Sequence, residues 1–404
     1  MSIEVAEAMS EGATPEAVTV RAPRSIGRQA VIDTLSRTGA RVGLGWLGIL
    51  AFFAVFGPFI ANTHPMVMKA EGHWSSPMLR SLTPADVLLL IATAVAVVLS
   101  IGRWFSFGTG LLITIGTPVV LFPVAYLVVK PPANIDYTFY RTMISQGRVE
   151  RVVFTLIPYS PSDRLRDRTD ARLSAPNRAH WFGTDNNGAD VFSNILHASR
   201  VALSIGFMAT GISVALGILI GGTMGYFAGA FDLLSMRTIE IIEALPRLVL
   251  LIAISALARH RNIYMMMAII GLTGYTSYAR FVRAEFLSLR QRDFVQAAVA
   301  AGYPKYRIIF RQMLPNALTP VLVSTTFGVA SAILYEATLS FLGLGLVDEP
   351  SWGALLEQAR AGGSGFIWWI ALFPGIAIFL TVFSYNLIGE AARDALDPKL
   401  RKRD

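Results

Sequence analysis

Apolar residues in this chain gather into long runs separated by short basic stretches. A membrane-crossing helix needs ~20 largely apolar residues to traverse a ~30 Å hydrocarbon core. On that measure the pattern predicts spans at Val42–Ile60, Asp86–Gly102, Gly108–Val129, Val201–Phe227, Ile239–Leu257, Tyr264–Tyr278, Ala317–Leu342 and Ile367–Gly389. Pro118 and Pro123 predict kinks in the third. Gly217, Gly221, Gly222 and Gly225 in the fourth predict a close approach of helix backbones. The expected fold class is all-α: a polytopic membrane protein with about eight transmembrane helices.

The polar segments complete this map. Residues 1–41 form a lead, acidic at first and then basic at Arg21, Arg24, Arg28, Arg37 and Arg41. The run 42–60 begins after that long lead and lacks a small-residue cleavage site, so it reads as an uncleaved anchor. Residues 86–129 form a helical hairpin. The apolar pattern then stops, and 130–198 reads as a soluble external loop with a short strand at Arg151–Leu156. Residues 199–390 hold the remaining five spans, and 391–404 form a basic tail. Basic residues cluster before the first span, at Arg103, at 280–311 and in the tail, which predicts that both termini are cytoplasmic. Arg164, Arg166, Arg168 and Arg172 run against that rule, but long loops translocate largely regardless of charge.

Composition narrows the chemistry. Of 404 residues 53% are hydrophobic and 15% charged, with mean hydropathy +0.52, which argues against a large soluble protein. The net charge of +8 fits basic cytoplasmic loops and calls for no nucleic acid. Cysteine is absent, which removes thiolate metal sites and a cysteine nucleophile. No Gly-x-x-x-x-Gly-Lys-Ser/Thr loop occurs, so the chain is not expected to hydrolyse ATP itself, and if energy is needed a partner must supply it. No helical zinc motif or Gly-x-Ser-x-Gly elbow occurs either. No cofactor, catalytic residue or metal ligand is expected.

The most informative segment, 290–315, lies between two spans. Asp293–Ala301 is alanine-rich and helical by propensity. Gly302 and Pro304 break it, and Tyr303–Gln312 is expected to form a second short helix ending before Pro315. Small side chains suit a helix that seats in a groove of another protein, and Arg292, Lys305, Arg307 and Arg311 supply a steering rim. On the residues alone, a coupling element and an ordinary basic loop that sets topology fit equally.

The segment resembles the coupling loop of ABC-importer permeases, whose pattern is Glu-Ala-Ala, a glycine four residues on, then Ile-x-Leu-Pro. Ala297, Ala298, Gly302, Leu314 and Pro315 match it. Gln296 replaces the glutamate and Gln312 the isoleucine. His180-Trp-Phe-Gly-Thr-Asp-Asn-Asn-Gly-Ala-Asp190, Leu339-Ser-Phe-Leu-Gly-Leu-Gly345, Pro350-Ser-Trp-Gly353 and Asp394-Ala-Leu-Asp-Pro-Lys-Leu400 are similar to the dipeptide/oligopeptide/nickel permease family, C-type subunit. The resemblance spans His180–Leu400. It implies a type-1 permease core in the inner membrane that carries peptides. It also implies an ATPase-docking site at Gln296, Ala297, Ala298, Gly302, Tyr303, Arg307, Leu314 and Pro315. The implied partners are a second, homologous permease, two ATP-binding subunits and an external solute-binding protein. The family has one span before its external loop, whereas this chain has three, so 86–129 reads as an insertion.

Three acidic residues within spans are candidates for pathway or interhelix contacts. Glu336 falls inside the seventh span, where a carboxylate is costly and faces the bundle interior. Glu240 and Glu243 open the fifth, one helical turn apart. Phe366, Trp368 and Trp369 read as an interfacial belt. The turn Gly183–Gly188 lacks the ligand spacing of a calcium loop. Rival readings are a nickel or other small-solute importer, a stand-alone channel or secondary transporter, and an intramembrane enzyme. The enzyme would need paired catalytic groups that the spans do not offer.

Overall fold

The computed structural model describes residues 32–70, 72–102, 107–130, 137–165, 172–347, 349–361 and 365–396. Most of the basic lead, Arg103, Arg166, Arg168 and the end of the tail therefore lie outside the described residues.

Helix α1 (Thr38–Ile60) leads into strands β1 (Val67–Ala70) and β2 (His73–Ser75) and the short helix α2 (Pro77–Ser81). Then come the hairpin helices α3 (Pro84–Gly102) and α4 (Phe107–Val128), the short α5 (Phe139–Ser145), strand β3 (Val149–Val153) and the long α6 (Val191–Phe227). Helices α7 (Gly229–Glu243), α8 (Arg247–Leu257), α9 (Ile263–Arg290) and α10 (Asp293–Ala300) follow. The chain ends with α11 (Lys305–Phe341), α12 (Trp352–Ala361) and α13 (Trp368–Leu396). Among the described residues, α1, α3, α4, α6, α11 and α13 are the six helices long and apolar enough to cross a membrane.

Two further expected spans take a different form. Ile239–Leu257, read as one helix, is broken between α7 and α8. Pro246 lacks an N–H and turns Leu245 away from helical geometry. The 11-residue α8 is about 16 Å long, half a hydrocarbon core. The expected span Tyr264–Tyr278 is the front of the 28-residue α9, whose second half carries Arg280, Arg283, Glu285 and Arg290. The front half itself carries Gly271, Thr273, Gly274, Tyr275, Thr276, Ser277 and Tyr278, which lower its hydropathy and leave α9 outside the six.

The bundle is built on a seam between α6 and α9. A Cβ on Gly217 would meet the Ala279 nitrogen at 3.0 Å, one on Gly221 the Ala279 carbonyl carbon at 2.9 Å, and one on Gly225 the Arg283 oxygen at 2.7 Å. Three glycines spaced by four residues thus put the two backbones in contact, as the sequence predicts. Helix α11 packs across the pair through Val329 and Ile333, and α1, α12 and α13 close the far side through Leu50, Trp352, Ala377 and Tyr385.

Outside the bundle lies a three-stranded antiparallel sheet in the order β2-β1-β3. The expected strand at Arg151–Leu156 is β3, shifted toward its N-terminus. Its partners β1 and β2 are too short and too mixed in polarity to stand out in the sequence. Lys69 pairs with Glu150 across β1 and β3. The sheet thus joins the segment before the hairpin to the loop after it. Asp86 fixes the hairpin itself. One carboxylate oxygen accepts from the Thr83 N–H and hydroxyl at 2.6 Å, a capping arrangement at the start of α3. The other pairs with Arg200 of α6.

Candidate coupling site and bundle interior

Residues 290–315 fold as a compact bracket on one end of the bundle. Helix α10 begins at Asp293, whose charge favours a helix start. It ends in a Schellman cap. The Gly302 N–H donates to the Val299 carbonyl at 3.0 Å, and the Tyr303 N–H donates to the Ala298 carbonyl at 3.1 Å. Gly302 sits at φ +73°, a left-handed geometry that penalises any side chain. Pro304 then starts α11.

The expected stop before Pro315 does not occur. Chain 308–313 winds as a π-helical turn and runs on without a break into Leu314–Phe341. The wider turn makes room for the Pro315 ring, which in a regular helix collides with the carbonyl four residues back. Residues 305–313 are therefore continuous with a helix long and apolar enough to cross a membrane.

The two faces of the bracket differ. Val295, Ala298, Ile308 and Met313 are buried against Phe286, Leu289 and Ala317. Ala298, expected on the docking face, is only 5% exposed and instead holds α10 to the bundle. Gln296, Ala297, Gly302, Tyr303 and Pro315 are exposed; Arg307 and Leu314 are half-buried. Phe294, Val299, Tyr306 (68%) and Phe310 (63%) join the outer face. The sequence reading missed these four, although apolar residues in a basic loop were the available signal. Arg307 covers the Tyr303 ring at 4.2 Å and Lys305 the Phe227 ring at 5.7 Å. The result is an apolar platform with a cationic rim.

Gln296 has a local task. Its Nε2 donates to the Arg290 carbonyl at 2.8 Å, satisfying one of the free acceptors at the end of α9. A carboxylate at this position has no hydrogen to donate, so glutamine is the residue that fits this contact.

The three acidic candidates are not brought together. Glu240 pairs with Arg237 on the exposed side of α7 at 2.6 Å. Glu243 pairs with Arg280 of α9. Glu336 is 1% exposed and accepts hydrogen bonds from Ser340 and Ser351, both at 2.7 Å. It thereby ties α11 to the turn before α12.

At the other end of the bundle, loop residues seat on α6 and α13. Asp190 caps α6 through the Ser193 N–H at 2.8 Å and also meets His180 Nδ1 at 2.9 Å. Trp369, read as part of an interfacial belt, donates to the Thr184 carbonyl at 3.2 Å, while Phe182 stacks on Phe373. Asp185 accepts from the N–H groups of Asn187 and Ala189. Burial pushes its carboxyl above the usual range, and those two bonds oppose the shift. Asp163, Asp185 and Glu349 border a cavity of about 700 Å³ between the 137–194 loop and the 346–358 turn. Among the described residues no group of side chains suits a metal ion.

Residues 214–402 match the family described as binding-protein-dependent transport system inner membrane component. A dipeptide transport system permease protein, DppC, from Alkalihalophilus pseudofirmus is 39% identical over 234 residues, 57% of this chain and 75% of that protein. A putative peptide transport system permease protein from Brucella suis is 44% identical over 234 residues, 57% of this chain and 77% of its own. The oligopeptide transport system permease protein OppC of Haemophilus influenzae is 39% identical over 224 residues, 55% of this chain and 71% of that one. The chain belongs to the binding-protein-dependent transport system inner membrane component family, as a C-type permease subunit of an ABC importer.

Proposed function

We propose that this permease forms half of a pathway for di- or oligopeptides, and that its 290–315 bracket receives a separate ATP-binding subunit. The peptide reading rests on the names of its relatives, which include dipeptide and oligopeptide permeases. The docking reading rests on one observation above all: the exposed Tyr306 and Phe310 of the platform are carried on the same continuous helix that crosses the bundle.

In this mechanism ATP closes two ATP-binding subunits on each other. Each grips the bracket of one permease, and the rigid run from Lys305 to Phe341 carries the movement into the bundle. The cavity between this chain and a second, related permease then changes from outward to inward access. An external binding protein delivers solute at the 137–194 loop. The 290–315 face and both termini lie in the cytoplasm.

The test is Tyr306→Glu combined with Phe310→Glu in the assembled importer. ATP hydrolysis stimulated by the loaded binding protein, and uptake, both fall by more than about tenfold while the permease still reaches the membrane. Such losses follow from putting charge into the centre of an apolar interface. Unchanged uptake overturns the docking assignment. An unaltered importer that takes up another solute but no peptide overturns the substrate.

A further inference from the structure

The break between α7 and α8 leaves a cation inside the bundle. Arg247 is the first residue of α8, immediately after Pro246. Its side chain turns inward. Nη2 donates to the Ile270 carbonyl of α9 at 3.0 Å, and the guanidinium lies 4.6 Å from the centre of the Tyr335 ring on α11. Ile270 is seven residues from the start of α9 and Tyr335 six from the end of α11, so the group sits about 10 Å inside that end of the bundle. The neighbouring backbone is shaped to receive it: a Cβ at Gly274 would stand 2.5 Å from Nη2.

A charge at this depth normally has a counter-charge or faces the transport path. Among the described residues no carboxylate pairs with Arg247. Glu240 and Glu243 are held by Arg237 and Arg280, Asp232 by Arg283, and Glu336 by two serines. The Arg247 Nε is buried and makes no hydrogen bond. Thr210 Oγ1 on α6 is a second buried polar atom without a partner, beside the Tyr278 hydroxyl and Gly328. The residues of the break itself, Ala244, Leu245 and Pro246, are exposed.

We infer that Arg247 is a binding residue for the terminal carboxylate of the transported peptide. A guanidinium offers a planar fork of N–H donors that matches a carboxylate. The N-terminus of α8 adds a favourable dipole, as broken helices do in other transporters. Tyr335 lies against the guanidinium face, and the buried Nε keeps a donor without a partner. The inference rests on the peptide reading above.

The experiment measures uptake by the complete importer, with its unaltered binding protein, of one peptide as the free acid and as its C-terminal amide. Any discrimination by the binding protein is common to all permease variants and cancels in the ratio to wild type. Arg247→Gln raises KM for the free acid about tenfold and changes KM for the amide less than twofold. If the glutamine variant does not reach the membrane, Arg247→Lys is used. It keeps the charge, loses the fork, and raises KM for the free acid alone by about threefold. Equal changes for both peptides, or no change, overturn the assignment. Wild-type importer that takes up neither peptide overturns the peptide reading, and this assignment with it.

Discussion

The α3–α4 hairpin and the α6–α9–α11 core are both apolar, yet they use that property differently. In α3 and α4 only 11% and 7% of the most apolar window is buried within the protein, whereas α6 and α11 each bury 33%. Leu112, Val120, Leu127 and Val128 of α4 stay exposed to whatever surrounds the protein. The core helices meet backbone to backbone and enclose polar groups: Thr210, Ser213, Glu336 and the Arg247 guanidinium. Hydropathy detects both regions equally well. Small residues and buried polar groups mark the packed core, because lipid supplies no hydrophobic drive for helices to associate and packing must replace it.

Placing one leucine in each region gives the largest contrast. Gly221→Leu forces a side chain into the Ala279 backbone. It costs more than about 3 kcal/mol by overpacking, and the permease is lost from the membrane fraction. Gly116→Leu in α4 enters open space and leaves the amount of permease unchanged. Equal effects remove the distinction between the regions.

Next in size is Glu336→Ala, which strands the Ser340 and Ser351 hydroxyls and opens a cavity. It destabilises the core by about 3 kcal/mol, read as a lower midpoint of thermal aggregation in detergent. Asp86→Ala removes both the cap of α3 and the partner of Arg200. A loss of about 2 kcal/mol is expected. It appears as faster proteolysis between α3 and α4, with uptake nearly intact. Gly302→Ala costs about 1 kcal/mol of backbone strain and slows uptake more than it lowers stability.

The smallest effect is one of pH. Burial holds the His64 imidazole below its ordinary range. The folded state therefore binds fewer protons there than the unfolded chain does. Stability from this group is complete above the ordinary histidine value and falls as pH drops through the window between that value and the lowered one. Hydrogen exchange in β1 and β3 should rise over that window, and His64→Gln should remove the dependence.

Much of this was legible in the sequence, for identifiable reasons. Long apolar runs fixed the six clear crossings, and glycines at spacing four marked the α6–α9 seam. The helix–turn–helix form of 290–315 was visible through alanines followed by Gly302. The break at Pro246 was harder to see, since apolar residues continue on both sides and hydropathy ignores a missing N–H. Pro315 misled in the opposite direction, because a π turn can absorb a proline that a regular helix rejects. Strands β1 and β2 gain their stability from β3, about eighty residues away, and no local pattern carries that contact. The inward face of Ala298 depends on where Ile308 and Met313 return. That no carboxylate among the described residues pairs with Arg247 emerges only once their side chains are placed.

The absence of cysteine from the chain permits a direct measurement of the central claim. Tyr306→Cys and Tyr126→Cys each introduce one thiol, the first on the α11 platform and the second on the exposed hairpin. In membranes holding the complete importer, each is treated with a short thiol-to-amine cross-linker and probed for the ATP-binding subunit. The docking account predicts an adduct from position 306 that changes in yield with ATP, and none from position 126. An adduct from 126 alone, or none from 306 in an importer that transports, contradicts it.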